Sequence, residues 1–512
     1  MVATSHPLAS EAGAAILREG GTAVEAAVCA AAVLAVVEPH MTGIGGDCFA
    51  LIGHPDGRLE GLNGAGRSAA ALDPGSLHGT GDHLDAGSPH AVTVPGAVAA
   101  WATLAARGSL GLDRLLAPAI RLAEEGFPLG QRVAADWAGC VDRLADDEGA
   151  RAHYLTPEGR APTVGQTWRL PALAETLRRI ARDGAQGFYA GPMAEEIAET
   201  LAAKGDGAGT IGMDDLAAHG TEFVEPLTRP YAGHEVVELP PANQGVTALA
   251  MLGIMERHDP ASLPPGSADA LHLEIEASRL AYAQRDAELA DPDAMERDAG
   301  ALLAPDRLNA LAERIGLARA GPALPNHRTG TDTVYLCAVD RDGLAVSLIN
   351  SLFHAFGSAI CTPRSGVMLQ NRGCGFRLDP AHPNAIAPGK RPLHTLIPGL
   401  LTQAGKVRAA FGVMGGQYQA HGHAHVTSLM LDHGLDPQAA LDAPRVFHEG
   451  VDVLVERGVP PSVAAELAAR GHRVKEAPSA IGGGQVIAID WRGGVLTGGS
   501  DPRKDGCAIG LA

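Results

Sequence analysis

The stretch from Pro325 to Ser358 reads PNHRTGTD (325–332), TVYLCAVD (333–340), RDG (341–343) and LAVSLINSLFHAFGS (344–358). Tyr335, Cys337 and Val339 alternate with Leu336 and Ala338, the period of a strand, and LAVSLIN repeats it after Asp342-Gly343, so the segment predicts a β-hairpin. Upstream, ARAGPALPNHRTGTD is rich in Pro, Gly, Asn and Thr and reads as an exposed connector. A loosely held loop therefore meets a buried strand at Asp332-Thr333. Two readings of that junction stand side by side. Thr is a good strand residue and needs no further reason to be there. Alternatively, its hydroxyl cuts the preceding peptide bond, and Thr333 becomes a new N-terminus with Oγ1 as nucleophile.

Working outward, the 512 residues are enough for two ordinary domains or one large layered α/β domain, and 46% hydrophobic with 19% charged residues is a globular composition. With 59 acidic against 40 basic side chains, the formal charge of -19 opposes phosphate backbones and anionic lipid, so neither nucleic acid nor a membrane surface is an expected partner. The seven cysteines are scattered and form no C-x-x-C pair, as expected for buried thiols in a reducing compartment. No basic, apolar leader is visible at MVATSHPLASEAG, and a cytoplasmic protein is expected.

Two alanine-rich helices (LASEAGAAILREG and TAVEAAVCAAAVLAVV) precede a glycine turn and strand in EPHMTGIGGDCFALIG and a second strand in GRLEGLNGAGRSA. HEVVELPP, SGVMLQNRG and VRAAFGVMGG read as strands, HLEIEASRLAYAQRDAEL and HVTSLMLDHG as helices, and QVIAIDWRGGVLTGG as a closing hairpin. Such blocks predict packed α and β layers. No Gly-x-Ser-x-Gly, Ser-x-x-Lys or His-Glu-x-x-His occurs, which removes the local signatures of several serine and zinc hydrolases. His421, His423 and His425 in HGHAH share a face on a strand, or pair one turn apart on a helix, but no further ligand is evident, so a packed face is expected and no metal. Gly415-Gly416 ends a strand and is either a plain turn or a pair of N–H donors aimed at one point.

In order along the chain, MVATSHPLASEAGAAILREGGTAVEAAV, EPHMTGIGGDCFALI, VPGAVAAW, VELPPANQG, LHLEIEASRLAYAQRD, APGKRPLHTLIP, the Gly415-Gly416 pair and SDPR together resemble the γ-glutamyltransferase family of N-terminal-nucleophile hydrolases. The resemblance implies the αββα sandwich and self-cleavage between Asp332 and Thr333 into a large subunit, 1–332, and a small one, 333–512. It implies Thr333 as nucleophile with its freed α-amino group as base, Ser351 beside that amine, and Gly415 and Gly416 as the oxyanion hole. An α-amino group titrating near 7.7–8.0 has a useful neutral fraction at physiological pH.

Departures from the family pattern fall in the substrate pocket. Phe353 stands for an asparagine, Arg372 for a glutamine, Gly375 for the acid that receives an ammonium, and His394, followed by Thr395, for the first of two serines. The family's carboxylate-binding arginine falls at Ala69, with Arg67 its nearest cation, and the Phe376–Lys390 connection is short, implying a missing lid. A pocket without its acid disfavours an α-ammonium and still suits a simple anionic acyl group, with Arg67, Arg372, His354 and His394 as candidate binders. QNRGCGF and SLFHAFGS resemble the branch that includes oxamate amidohydrolases. The expectation is a cofactor-free, self-processing amidohydrolase of a small amide, its partners that substrate and its own two subunits, assembled as a dimer of processed heterodimers. A γ-glutamyl hydrolase or transferase, a glutaryl-type acylase and an unprocessed binding homologue are the alternatives.

Overall fold

The computed structural model describes residues 1–77, 81–205, 209–322 and 333–511. Most of the connector before Thr333, and Asp332 itself, lie outside the described residues.

The hairpin is present as strands Val334–Val339 and Ala345–Ser351. It forms the centre of a seven-stranded antiparallel sheet in the order Cys507–Ile509, Val2–Thr4, Val334–Val339, Ala345–Ser351, Asp47–Gly53, Leu59–Gly64, Glu222–Val224. A second antiparallel sheet runs Val495–Ser500, Gly483–Asp490, Lys406–Met414, Gly399–Gln403, His234–Glu238, Leu227–Tyr231. The sheets pack face to face: Tyr335 Oη and Ser347 Oγ lie 2.8 Å apart, and Ser347 Oγ donates to Phe411 O and accepts from Gly399 N across the gap.

Helices cover both outer faces. Pro7–Arg18, Ala23–Val37, Ala97–Ala105 and Leu112–Glu125 share a core with the seven-stranded sheet, and Gly245–Met255, Ala268–Glu288 and Gln419–Leu431 share one with the six-stranded sheet. Every residue of Ala23–Val37 is buried, which small side chains allow because the helix axis can approach the sheet closely. Its start is fixed by a capping box between Thr22 and Glu25, worth roughly 1 kcal/mol. The layered αββα sandwich expected of the sequence is the architecture found.

One segment differs. SGVMLQNRG forms no strand; Leu369 N donates to Ile360 O, Gln370 N to Gly45 O and Asn371 N to Leu352 O, with only isolated bridges. Its apolar run, Val367 to Leu369, is followed by Gln370 and Asn371, which turn inward to hydrogen-bond Asp47 and His354 instead of continuing a pleated surface.

Candidate active site

Strand register brings the first candidates together. Asn350 lies opposite Val334 and Ser351 opposite Asp47, so Thr333, one residue before Val334, comes level with Ser351. Thr333 is 1% exposed and its Oγ1 lies 3.0 Å from Ser351 Oγ. Ser351 Oγ also accepts from Phe353 N at 2.8 Å. Phe353 has φ +80°, a left-handed conformation that is uncommon for a side chain of this size. The turn is held in place by Arg143, which donates to Ala355 O and Gly357 O at 2.8 and 2.7 Å.

Phe353, His354, Gly375 and Thr395 line one cavity of about 200 Å³, together with Arg285 and Asp286. Arg372 is fully buried behind Phe353 and Thr395: its guanidinium carbon is 4.1 Å from the Phe353 ring centroid, and Nη1 donates to Thr395 Oγ1 at 2.9 Å. Its Nε and Nη2 have no partner among the described residues. Burial pushes the Arg372 pKa down to about 9, with Asp47 opposing, so it remains a cation at neutral pH.

Asp47 accepts from Gln370 Nε2 at 2.9 Å and from Gly66 N and Gly96 N at 3.2 Å. His394 Nε2 donates to its Oδ2 at 3.0 Å, and His394 Nδ1 accepts from Leu396 N. Burial raises the Asp47 carboxyl to about 6, partly countered by Arg372. Burial holds His394 well below the usual imidazole value, and Arg372 adds to that, so the ring is neutral.

The sequence-derived cations thus divide. His394 has both ring nitrogens committed and braces Asp47. His354 lines the cavity but is neutral at physiological pH, since burial, then Arg143 and Arg372, lower its pKa to about 4. Arg67 is not brought to this cavity: it lies in another of about 380 Å³, donates to Gly389 O at 3.0 Å and faces Asp291 at 3.5 Å and Glu222 at 3.9 Å. Ala69, buried at 4%, supplies no charge. Of the four proposed anion binders, Arg372 is the one that stays charged next to this cavity, buried behind the Phe353 and Thr395 side chains that line it. At Gly375 a Cβ would approach Leu393 O to 2.8 Å, so an acid there requires the backbone to move.

Gly415 (φ +124°) and Gly416 (φ +55°) follow the Lys406–Met414 strand, and Gly415 O accepts from Tyr418 N at 3.0 Å. A trans peptide opposes its C=O and N–H, so the Gly416 N–H points away from that turn.

Sequence reasoning did not single out Asp47, Gln244, Arg285, Asp286 or Gln370. The available signal was a polar residue inside an otherwise buried block, as in GIGGD, PPANQG and AYAQRD. HGHAH lies on the Gln419–Leu431 helix: His423 Nδ1 meets Glu238 Oε1 at 2.7 Å, and His425 Nδ1 meets Glu274 Oε2 at 2.9 Å. These are packed pairs, and Glu274 is held down to about 2 against its desolvation, His425 being the largest stabilising charge. A depressed carboxyl stabilises the fold above its unfolded pKa and stops doing so as pH falls through the folded one. Glu274→Gln is expected to cost up to about 3 kcal/mol at neutral pH, with the deficit shrinking between pH 4.5 and 2 in thermal melts. His272, Glu276 and His472 also cluster, but Arg279 Nη1 donates to Glu276 Oε1 at 2.9 Å and lies 3.3 Å from His472 Nδ1, occupying the place a metal ion would take.

The profile of the family described as Gamma-glutamyltranspeptidase matches residues 9–511. The chain belongs to that family. It is 37% identical over 526 residues to the oxamate amidohydrolase proenzyme of Klebsiella pneumoniae and 36% identical over 523 residues to the glutathione hydrolase-like YwrD proenzyme of Bacillus subtilis, covering 100% of this chain and 98% of each relative. Among solved structures, a cephalosporin acylase from Bacillus halodurans superimposes with a TM-score of 0.91 at 41% identity, covering 99% of this chain and 94% of that one. The family member is therefore an enzyme of the amidohydrolase and γ-glutamyltransferase-like N-terminal-nucleophile class. Among the described residues no helix is long and apolar enough to cross a membrane.

Proposed function

We infer that the chain cleaves its own Asp332–Thr333 bond and that the freed Thr333 hydrolyses a small amide whose acyl part carries a carboxylate, as in oxamate. Arg372 carries this reading. A buried guanidinium with two unpartnered donors is costly to leave so, and a carboxylate satisfies both in one bidentate contact. The whole-length similarity to an oxamate amidohydrolase supports it.

In this mechanism the α-amino group of Thr333 takes the proton from Oγ1 as Oγ1 attacks the carbonyl carbon. The oxyanion is received by the N–H groups of Gly415 and Gly416. Collapse breaks the C–N bond, the leaving nitrogen takes the proton, and ammonia departs, leaving an ester on Thr333. Water, deprotonated by the same amine, attacks the ester and releases the dicarboxylate. The two subunits stay joined because the sheet interleaves them: Val2–Thr4 and Asp47–Gly53 of the first flank the hairpin of the second.

A γ-glutamyl substrate is the second reading, favoured by one observation. Asp286 lines the cavity, and its Oδ2 is buried without a partner among the described residues, although Oδ1 is held by Arg285 at 2.6 Å. Ammonia release from oxamate against anilide release from a γ-glutamyl anilide separates the two. We expect kcat/KM for oxamate to be higher by on the order of 100-fold, because an α-ammonium would face the Arg285 and Arg377 side chains that line the same cavity. Fast anilide turnover that disappears in Asp286→Asn, with no ammonia from oxamate, would replace the first reading by the second.

A further inference from the structure

We propose that Arg285 is a positioning residue that locks the Gly415-Gly416 turn through the side-chain amide of Gln244; the inference rests on the reading of that turn as the oxyanion hole. Two successive glycines with positive φ form a conformationally free link, yet an oxyanion hole works only if its donors are fixed before charge develops. The fixing must come from outside the turn. Gln244, fully buried, supplies it: its Nε2 donates to Gly416 O at 3.2 Å and to Thr395 O at 2.8 Å. One amide thereby ties the oxyanion side of the site to Thr395, the hydroxyl partner of Arg372.

What fixes the amide is Arg285. A guanidinium only donates, so Gln244 Oε1, 2.7 Å from Arg285 Nη1, must face it, and Nε2 is then forced toward the two carbonyls. The same Nη1 donates to Gln417 Oε1 at 2.5 Å, holding the residue after the glycines. Tyr282, whose ring lies 4.4 Å from the Arg285 guanidinium carbon, donates from its hydroxyl to Gln417 O. Arg285 Nε and Nη2 go to Asp286. Arg285, in the cavity lining, and Arg372, buried behind Phe353 and Thr395, therefore differ in kind. Arg372 keeps donors free for a ligand, whereas all three nitrogens of Arg285 are engaged with the protein.

The experiment uses the full chain and normalises turnover to processed Thr333 N-termini counted by mass spectrometry. Arg285→Lys and Gln244→Leu are each expected to lower kcat on oxamate by about 100-fold, the usual loss for one oxyanion donor, with KM within about twofold of the parent. The double variant should be no worse than either single one, since both break one relay. Guanidinium ion added to Arg285→Ala should restore kcat in part. Folding is read independently by thermal melting, and arrest before processing is read on gels, where restoration by guanidinium supports the proposal and its failure overturns it. A loss confined to KM, additive effects in the double variant, or unchanged kcat overturns it. Because Thr333→Ala tests the nucleophile separately, an active parent silenced by Thr333→Ala but indifferent to Arg285→Lys condemns the relay and spares the proposed function.

Discussion

Thr333→Ala is expected to run as one band near 52.5 kDa on a denaturing gel, where the parent gives two, and to release ammonia from oxamate at least about 10⁴-fold more slowly. The substitution removes Oγ1, whose described partner is Ser351 Oγ, together with the γ-methyl, and leaves only a small void at a site that is 1% exposed. Loss of such a hydrogen bond costs on the order of 1 kcal/mol, so the sandwich survives and the loss reads chemistry, not unfolding. Thr333→Ser keeps Oγ and is expected to process. Thr333→Ala protein that still separates into two fragments at the same junction would end the reading of Thr333 as the residue that cuts before itself.

How much of this was legible in the sequence depends on what each residue's environment adds. Ala23–Val37 and the hairpin at Val334–Ser351 were readable because burial on every side leaves continuous apolar runs bounded by turn residues. SGVMLQNRG holds a short apolar run as a strand does, but Gln370 and Asn371 after it are turned inward as hydrogen-bond donors to the site, and no strand forms. Arg372 could be named from its place in the family pattern, and it packs behind Phe353 and Thr395 of the cavity wall. His354 and His394 were named with it as cations, but charge on an imidazole depends on desolvation, which no local sequence reports, and both are neutral. Arg67 was misplaced for a topological reason, since Gly389, Glu222 and Asp291, brought in from far along the chain, draw it into a different cavity. The Arg285–Gln244 relay was invisible because its members lie 41 residues apart, Gln244 just ahead of one helix and Arg285 on another that was readable only as layer packing.

Arg372→Met is expected to lower kcat/KM for oxamate by about 10²–10³-fold, the effect of truncating one partner of a buried, hydrogen-bonded charge pair. A neutral amide of similar size should lose little, so the ratio between the two substrates identifies the contact as carboxylate recognition. Arg372→Lys should not restore it, because an ammonium offers a point charge where the free Nε and Nη2 present a planar fork. Stability supplies an independent check. Asp47, raised to about 6 from 3.8, binds its proton more tightly folded than unfolded, so its contribution to stability falls as pH rises through that window. Arg372 is the charge that most limits the rise, and removing it extends the window upward. Arg372→Met should therefore be less stable than the parent at pH 8 and recover toward it at pH 5, while adding Asp47→Asn should flatten that difference in thermal melts. If Arg372→Met instead hydrolyses oxamate within about threefold of the parent while showing this pH signature, Arg372 serves only as the counter-charge of Asp47. Carboxylate recognition then passes to Arg377, which lines the same cavity.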